Sequence, residues 1–271
     1  MIQKLFAAKV VDVIKNNESV VGLAVGGSWL TDELDEFSDL DLVLITKEKV
    51  SDDKEKMVAF ARQFGQLISA FTGEHVGEPR VLICLYDDPF LHVDIKFLIL
   101  DELRNRVENP VVLFERDNAL SEIMNVSKAE WPRRDHQWYE DRFWTWIHYV
   151  ALKLGRGEYF EAIDFLGDLR IQVLAPLLLE INHKPPRGLR RVEIYLRPGD
   201  LKALESTIAD YNPHRIKQAT ENAVALYRKI RKELFKSSIR LQTAVEERSM
   251  QYLGKINFDR DGPFRIKTNF F

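Results

Sequence analysis

Asp39 and Asp41 stand two residues apart in Ser38-Asp39-Leu40-Asp41-Leu42-Val43-Leu44. Alternate side chains of a strand leave from the same face, so both carboxylates project together while Leu40 and Leu42 point the other way. Two like charges so close repel and raise each other's pKa unless a cation lies between them. Carboxylate oxygens in this arrangement suit Mg²⁺, which takes one or two carboxylates and leaves its other positions to water and substrate phosphates. The pair predicts a divalent-metal site that works on a polyphosphate.

Upstream, Val25 runs into Gly26-Gly27-Ser28. Two glycines after a strand let the backbone approach a bulky anion closely. A short helix capped by Ser28, through about Glu33, would aim N–H groups at the same point. Alone this signal is weak, because many such turns bind nothing. Downstream, Leu91-His92-Val93-Asp94-Ile95-Lys96-Phe97 alternates, with Leu91, Val93, Ile95 and Phe97 on one face and His92, Asp94 and Lys96 on the other. A strand aspartate of this kind reads first as part of a solvated face. The glycine turn and the Asp39/Asp41 pair, in that order along the chain, turn the reading toward function.

Gly-Gly-Ser, an interval of about ten residues, Asp-x-Asp in a strand and a third Asp in an apolar strand together resemble the nucleotidyltransferase superfamily related to DNA polymerase beta. Within it, the chain is similar to the aminoglycoside and lincosamide nucleotidyltransferases. The likeness spans residues 20–100 and is looser beyond, resting on Phe143-Trp144-Thr145-Trp146 and the run from Tyr149 to Glu158. The resemblance implies that Gly27 and Ser28 hold a nucleoside triphosphate and that Asp39 and Asp41 bind one or two Mg²⁺ ions. It implies that Asp94 ligates the metal, helps activate the acceptor hydroxyl, or both. A hydroxyl of a small molecule would attack the α-phosphorus and pyrophosphate would leave, with AMP from ATP as the expected donor group. Relatives commonly carry Arg or a small polar residue after the serine; this chain carries Trp29, a departure beside the phosphate turn that leaves the metal residues intact.

The elements that must position these residues follow from periodicity. Residues 2–15 have an amphipathic helical pattern, and Val20–Val25 and Leu40–Thr46 read as strands. Ser51 opens a predicted helix to about Ala70. Arg80–Tyr86 and Phe90–Leu100 are strand-like and joined by Asp87-Asp88-Pro89, which predicts a hairpin. Residues 101–134 read as irregular. Helices are expected over 135–154, 157–182, 199–211, 213–235 and 237–253. The expected fold is α+β, with a nucleotidyltransferase domain over 1–120 built on a small mixed sheet with flanking helices, and a helical bundle over 121–271.

The remaining sequence sets bounds. The 271 residues are 45% apolar and 30% charged with a net charge of −3, an ordinary balance for a globular chain and one that argues against a nucleic-acid-coating protein. No stretch approaches the roughly 20 apolar residues needed to span a bilayer, and the N-terminus lacks a signal-peptide pattern, so a cytoplasmic protein is expected. Cys84, the single cysteine, reads as a buried core thiol. Apolar helix surface leaves a homodimer open.

In the helical half, the resemblance implies that Lys153 reaches the nucleotide phosphates, although a lysine near a helix C-terminus is also favoured by the dipole. Glu158, Glu161, Asp164 and Asp168 include candidates for a base or a cationic-acceptor contact; each taken singly reads as a solvated or helix-start acid. Trp138, Tyr139, Phe143, Trp144, Trp146 and Tyr149 would line a pocket or, more simply, form core between the two domains. Two other functions stay open: nucleotidylation of a protein or tRNA in a toxin–antitoxin pair, and a non-catalytic nucleotide-binding module.

Overall fold

The computed structural model describes residues 1–31 and 33–258. The chain divides into two compact units, Met1–Pro132 and Arg133–Phe271.

The first unit is a six-stranded mixed sheet, in the order β3-β4-β5-β2-β1-β6. Its strands are β1 (Val20–Val25), β2 (Leu40–Thr46), β3 (Gln66–Gly73), β4 (Glu78–Asp87), β5 (Leu91–Ile99) and β6 (Val111–Glu115). Among the described residues only the central β2–β5 pair is parallel. The alternation in β2 and β5 sends Leu40, Leu42, Leu44, Val93, Ile95 and Phe97 to one face. There they pack with Phe6, Val10 and Ile14 of α1 (Ile2–Ile14) and Met57 and Ala61 of α2 (Lys54–Ala61). On the opposite face Ala24, Ile45 and Leu98 pack with Leu120 and Ile123 of α3 (Ala119–Val126). Cys84 is buried and free, and burial pushes its thiol up to about 12.

Two expectations need correction. The helix predicted over 51–70 ends at Ala61, and Gln66–Gly73 is the edge strand β3. Phe64 and Leu67 fit either period, but Gly65 interrupts the helix and pairing with β4 decides the rest. The cap is Asp53, whose carboxylate accepts from the Glu55 and Lys56 amides, and not Ser51, whose hydroxyl is buried without a hydrogen bond. The stretch read as irregular contains β6, paired with β1, and α3. A five-residue edge strand after Asn109-Pro110 is too short to declare itself by periodicity.

The second unit is helical: α4 (His136–Gly155), α5 (Tyr159–Leu169), α6 (Ala175–Ile181), α7 (Val192–Tyr195), α8 (Pro198–Glu205), α9 (Pro213–Leu234) and α10 (Thr243–Lys255). The helix expected over 157–182 is interrupted by a π-helical turn at Arg170–Leu174. Tyr139, Phe143 and Trp144 are buried in this unit's own core, with Trp138 and Trp146 packed against it. Buried Glu140 joins α4, α9 and the start of α10. Its Oε1 accepts from Trp144 Nε1 (3.2 Å), the Gln242 amide (2.9 Å) and Arg231 (3.1 Å), and its Oε2 from the Tyr227 hydroxyl (2.9 Å).

Candidate active site

The chain leaves β1 through Gly26 and Gly27 into a single 3₁₀ turn, Gly27–Thr31. That is shorter than the predicted helix, so it offers individual N–H groups rather than a long helix dipole. The Gly26 amide donates to the Asp41 carbonyl at 2.9 Å, tying the turn to the start of β2. Gly27 takes φ +63°, a left-handed conformation that costs other residues about 1–2 kcal/mol. A Cβ on Gly27 would sit 1.9 Å from Asp41 Oδ2 and 2.9 Å from its Cγ. Glycine is what allows the turn to close over the Asp41 carboxylate.

Asp41 and Asp94 are register partners across the parallel β2–β5 pair. Paired residues share a face, so these two half-buried aspartates leave the same side of neighbouring strands, whose backbones run about one strand spacing, ~4.8 Å, apart. His92, also on this face, brings Nε2 to 2.9 Å from Asp94 Oδ1. Asp39 lies in the segment just before β2. That segment is fixed by Gln3 of α1, a buried side chain whose Nε2 donates to the carbonyls of Asp35 (2.9 Å) and Ser38 (2.8 Å). Trp29 packs against the first-unit core, with the Lys4 ammonium 5.7 Å from its ring centre.

Farther along the same face, Lys96 is committed to Glu78 at 2.8 Å. Arg80 donates two hydrogen bonds to Glu78, both 2.7 Å, and this grip, followed by Lys96, holds the carboxyl down to about 2 against the opposing cost of burial. Next to the carboxylate pair the face turns apolar: Ile83 is the register partner of Asp94, Leu85 of His92, and exposed Phe71 of Ile83.

Lys153 belongs to the second unit, where its ammonium lies 2.7 Å from Glu158 and 2.9 Å from Glu161. Hydrogen bonds to these two acids, Glu158 first, raise its pKa. The Tyr149 hydroxyl also donates to Glu161. Asp164 and Asp168 are exposed on α5.

Among the described residues no three His, Cys, Asp or Glu side chains are gathered as a ready-made metal cluster. Mg²⁺ does not require one, since a pair of carboxylates with water and substrate phosphate completes its shell. The Asp41–Asp94 pair beside the Gly27 turn could supply two such carboxylates.

Sequence reasoning missed Gln3 and Glu108. Gln3 carried a usable signal: with Phe6, Ala7, Val10 and Ile14 it occupies the buried stripe of α1, and a polar residue at such a position has to find a partner. Glu108, whose Oε1 accepts from the Gly27 amide at 2.8 Å across 81 positions of sequence, carried none.

An α+β unit with paired carboxylates on adjacent parallel strands, beside a glycine turn, has the layout expected for nucleotidyl transfer. Residues 3–256 match the family model described as streptomycin adenylyltransferase, and the chain belongs to that family. It is therefore a nucleotidyltransferase enzyme. No curated protein matches the chain. Among solved structures, it is similar to an aminoglycoside 6-adenyltransferase from Bacillus subtilis at 19% identity, covering 94% of this chain and 97% of that one with a TM-score of 0.41. It is also similar to a nucleotidyltransferase-like protein from Exiguobacterium sibiricum 255-15 at 13% identity, covering 92% and 78% with a TM-score of 0.33. Among the described residues no helix is long and apolar enough to cross a membrane.

Proposed function

We propose that the protein transfers AMP from ATP to a hydroxyl of a small aminoglycoside-like molecule. The observation that carries this reading is the side-by-side placement of Asp41 and Asp94 next to Gly27. Asp39, Asp41 and Asp94 would hold Mg²⁺, which supplies charge neutralisation of the entering and leaving oxygens when bound. Gly27 and Ser28 receive the triphosphate through backbone and hydroxyl groups. Asp94, its Oδ1 fixed by His92, takes the proton of the acceptor hydroxyl as that oxygen attacks the α-phosphorus and pyrophosphate leaves. The strip of Ile83, Leu85 and Phe71 offers an apolar floor on which a sugar or base ring can lie.

The test is incubation with Mg²⁺, α-labelled ATP and separate acceptors: streptomycin, other aminoglycosides, a lincosamide, total protein and tRNA. Label should appear on an aminoglycoside, and Asp41→Asn and Asp94→Asn should each lower the rate by at least about a hundredfold. Label only on protein or tRNA would overturn the acceptor class. ATP binding without transfer to any acceptor would favour a non-catalytic module.

A further inference from the structure

The Gly27 N–H is one of the backbone donors that the proposed phosphate turn offers, and in the structure it is already used. It donates to Glu108 Oε1 at 2.8 Å. The same oxygen would lie 2.9 Å from a Cβ on Gly26, so the carboxylate rests directly on the Gly26-Gly27 backbone. Glu108 comes from the connection between the 3₁₀ turn Leu100–Arg104 and β6. That connection is held firmly. Arg106 donates to Asn109 Oδ1 (2.8 Å), the Ser127 hydroxyl (2.6 Å), and the carbonyls of Met124 (3.0 Å) and Ser127 (2.8 Å). The half-buried Glu108 is thus delivered to the turn by a loop anchored to the end of α3.

A carboxylate oxygen and a phosphate oxygen make the same demand on an N–H, and one N–H oriented toward one acceptor cannot serve both fully. Glu108 also adds negative charge near Asp41, whose carboxylate likewise abuts Gly27. An incoming triphosphate meets both an occupied donor and a repelling charge. Resting on the proposed nucleotide site, we propose that Glu108 is a positioning residue that stands in for a phosphate at the Gly26-Gly27 turn. It keeps the turn formed in the nucleotide-free enzyme and is displaced when nucleotide binds. The consequence runs against the usual effect of removing a residue from a binding site: neutralising Glu108 should tighten nucleotide binding.

The experiment is calorimetric titration of the full chain with α,β-methylene-ATP in Mg²⁺. Glu108→Gln keeps the side-chain length and an acceptor oxygen but removes the charge, and Glu108→Asp withdraws the carboxylate by one methylene. Both are expected to bind the analogue about five to ten times more tightly than the wild type, with a lower melting temperature of the nucleotide-free protein. A purely structural role would leave affinity unchanged or reduce it. If the wild type binds the analogue and both variants bind no more tightly, the displacement model is wrong while the nucleotide site stands. If neither wild type nor variants bind, both fail.

Discussion

Gly27→Ala perturbs a single carbon and tests the closure of the turn over Asp41. The backbone at φ +63° carries a strain of about 1–2 kcal/mol with any side chain. The added Cβ would also lie 1.9 Å from Asp41 Oδ2, where real contacts of this kind begin at roughly 3 Å. One group has to retreat by about 1 Å, and the carboxylate at the end of its side chain is the one that can. The stability cost should stay near about 1–2 kcal/mol, a fall in melting temperature of roughly 2–8 °C. A reacting group misplaced by about 1 Å loses on the order of a hundredfold in rate. The expected outcome is therefore a folded protein with kcat/KM reduced at least about a hundredfold, checked by thermal melting beside label transfer from ATP. Activity within threefold of the wild type would refute the claim that the Asp41 carboxylate is held in working position by the absence of a side chain at residue 27.

Glu78, held down to about 2 by Arg80 and Lys96, stabilises the folded state fully above its unfolded value near 4.5. That contribution is lost as pH falls from 4.5 toward 2. The shift sets an upper limit of about 3 kcal/mol, and solvent screening reduces it to about 1–2 kcal/mol. Denaturant melts of the wild type and Glu78→Gln should converge at low pH and separate above pH 5; parallel profiles would contradict the ion-pair account. Cys84, pushed up to about 12 by burial, should resist a thiol reagent at pH 8 for hours in the native protein and react at once in denaturant. Rapid native labelling would mean that the sheet opens easily. Glu140→Ala removes the acceptor shared by Trp144, Tyr227, Arg231 and the Gln242 amide and should cost about 3–5 kcal/mol in chemical denaturation. A loss under about 1 kcal/mol would show that this network does not hold the helical unit together.

Much of the first unit was legible because its strands are long and alternate cleanly. Leu40–Thr46 and Leu91–Ile99 declare both their period and their polar face, and Asp87-Asp88-Pro89 marks the connection between β4 and β5. What one-dimensional pattern cannot supply is register. That Asp41 faces Asp94, and not a residue two positions away, follows from the parallel pairing of β2 with β5 after α2, β3 and β4 have intervened. β3 was misread for a related reason: an edge strand of mixed pattern takes its identity from its partner. Glu108 lay hidden because its meaning is a single hydrogen bond between distant loops. In the helical half, the aromatic run in α4 was visible as a run, but its burial within that unit's own core was not. Lys153 was visible as a cation, whereas its enclosure by Glu158 and Glu161 depends on how α4 meets α5.

The central claim is that Asp41 and Asp94 together hold a divalent cation on which the nucleotide phosphates converge. Crystals grown with Mn²⁺ and α,β-methylene-ATP, measured for anomalous scattering, test it most directly. An anomalous peak is expected within about 2.2 Å of an oxygen from each of these two carboxylates, with phosphate oxygens completing the shell beside Gly27. Nucleotide bound without a metal at this pair, or a metal bound only by side chains other than Asp39, Asp41 and Asp94, would contradict it.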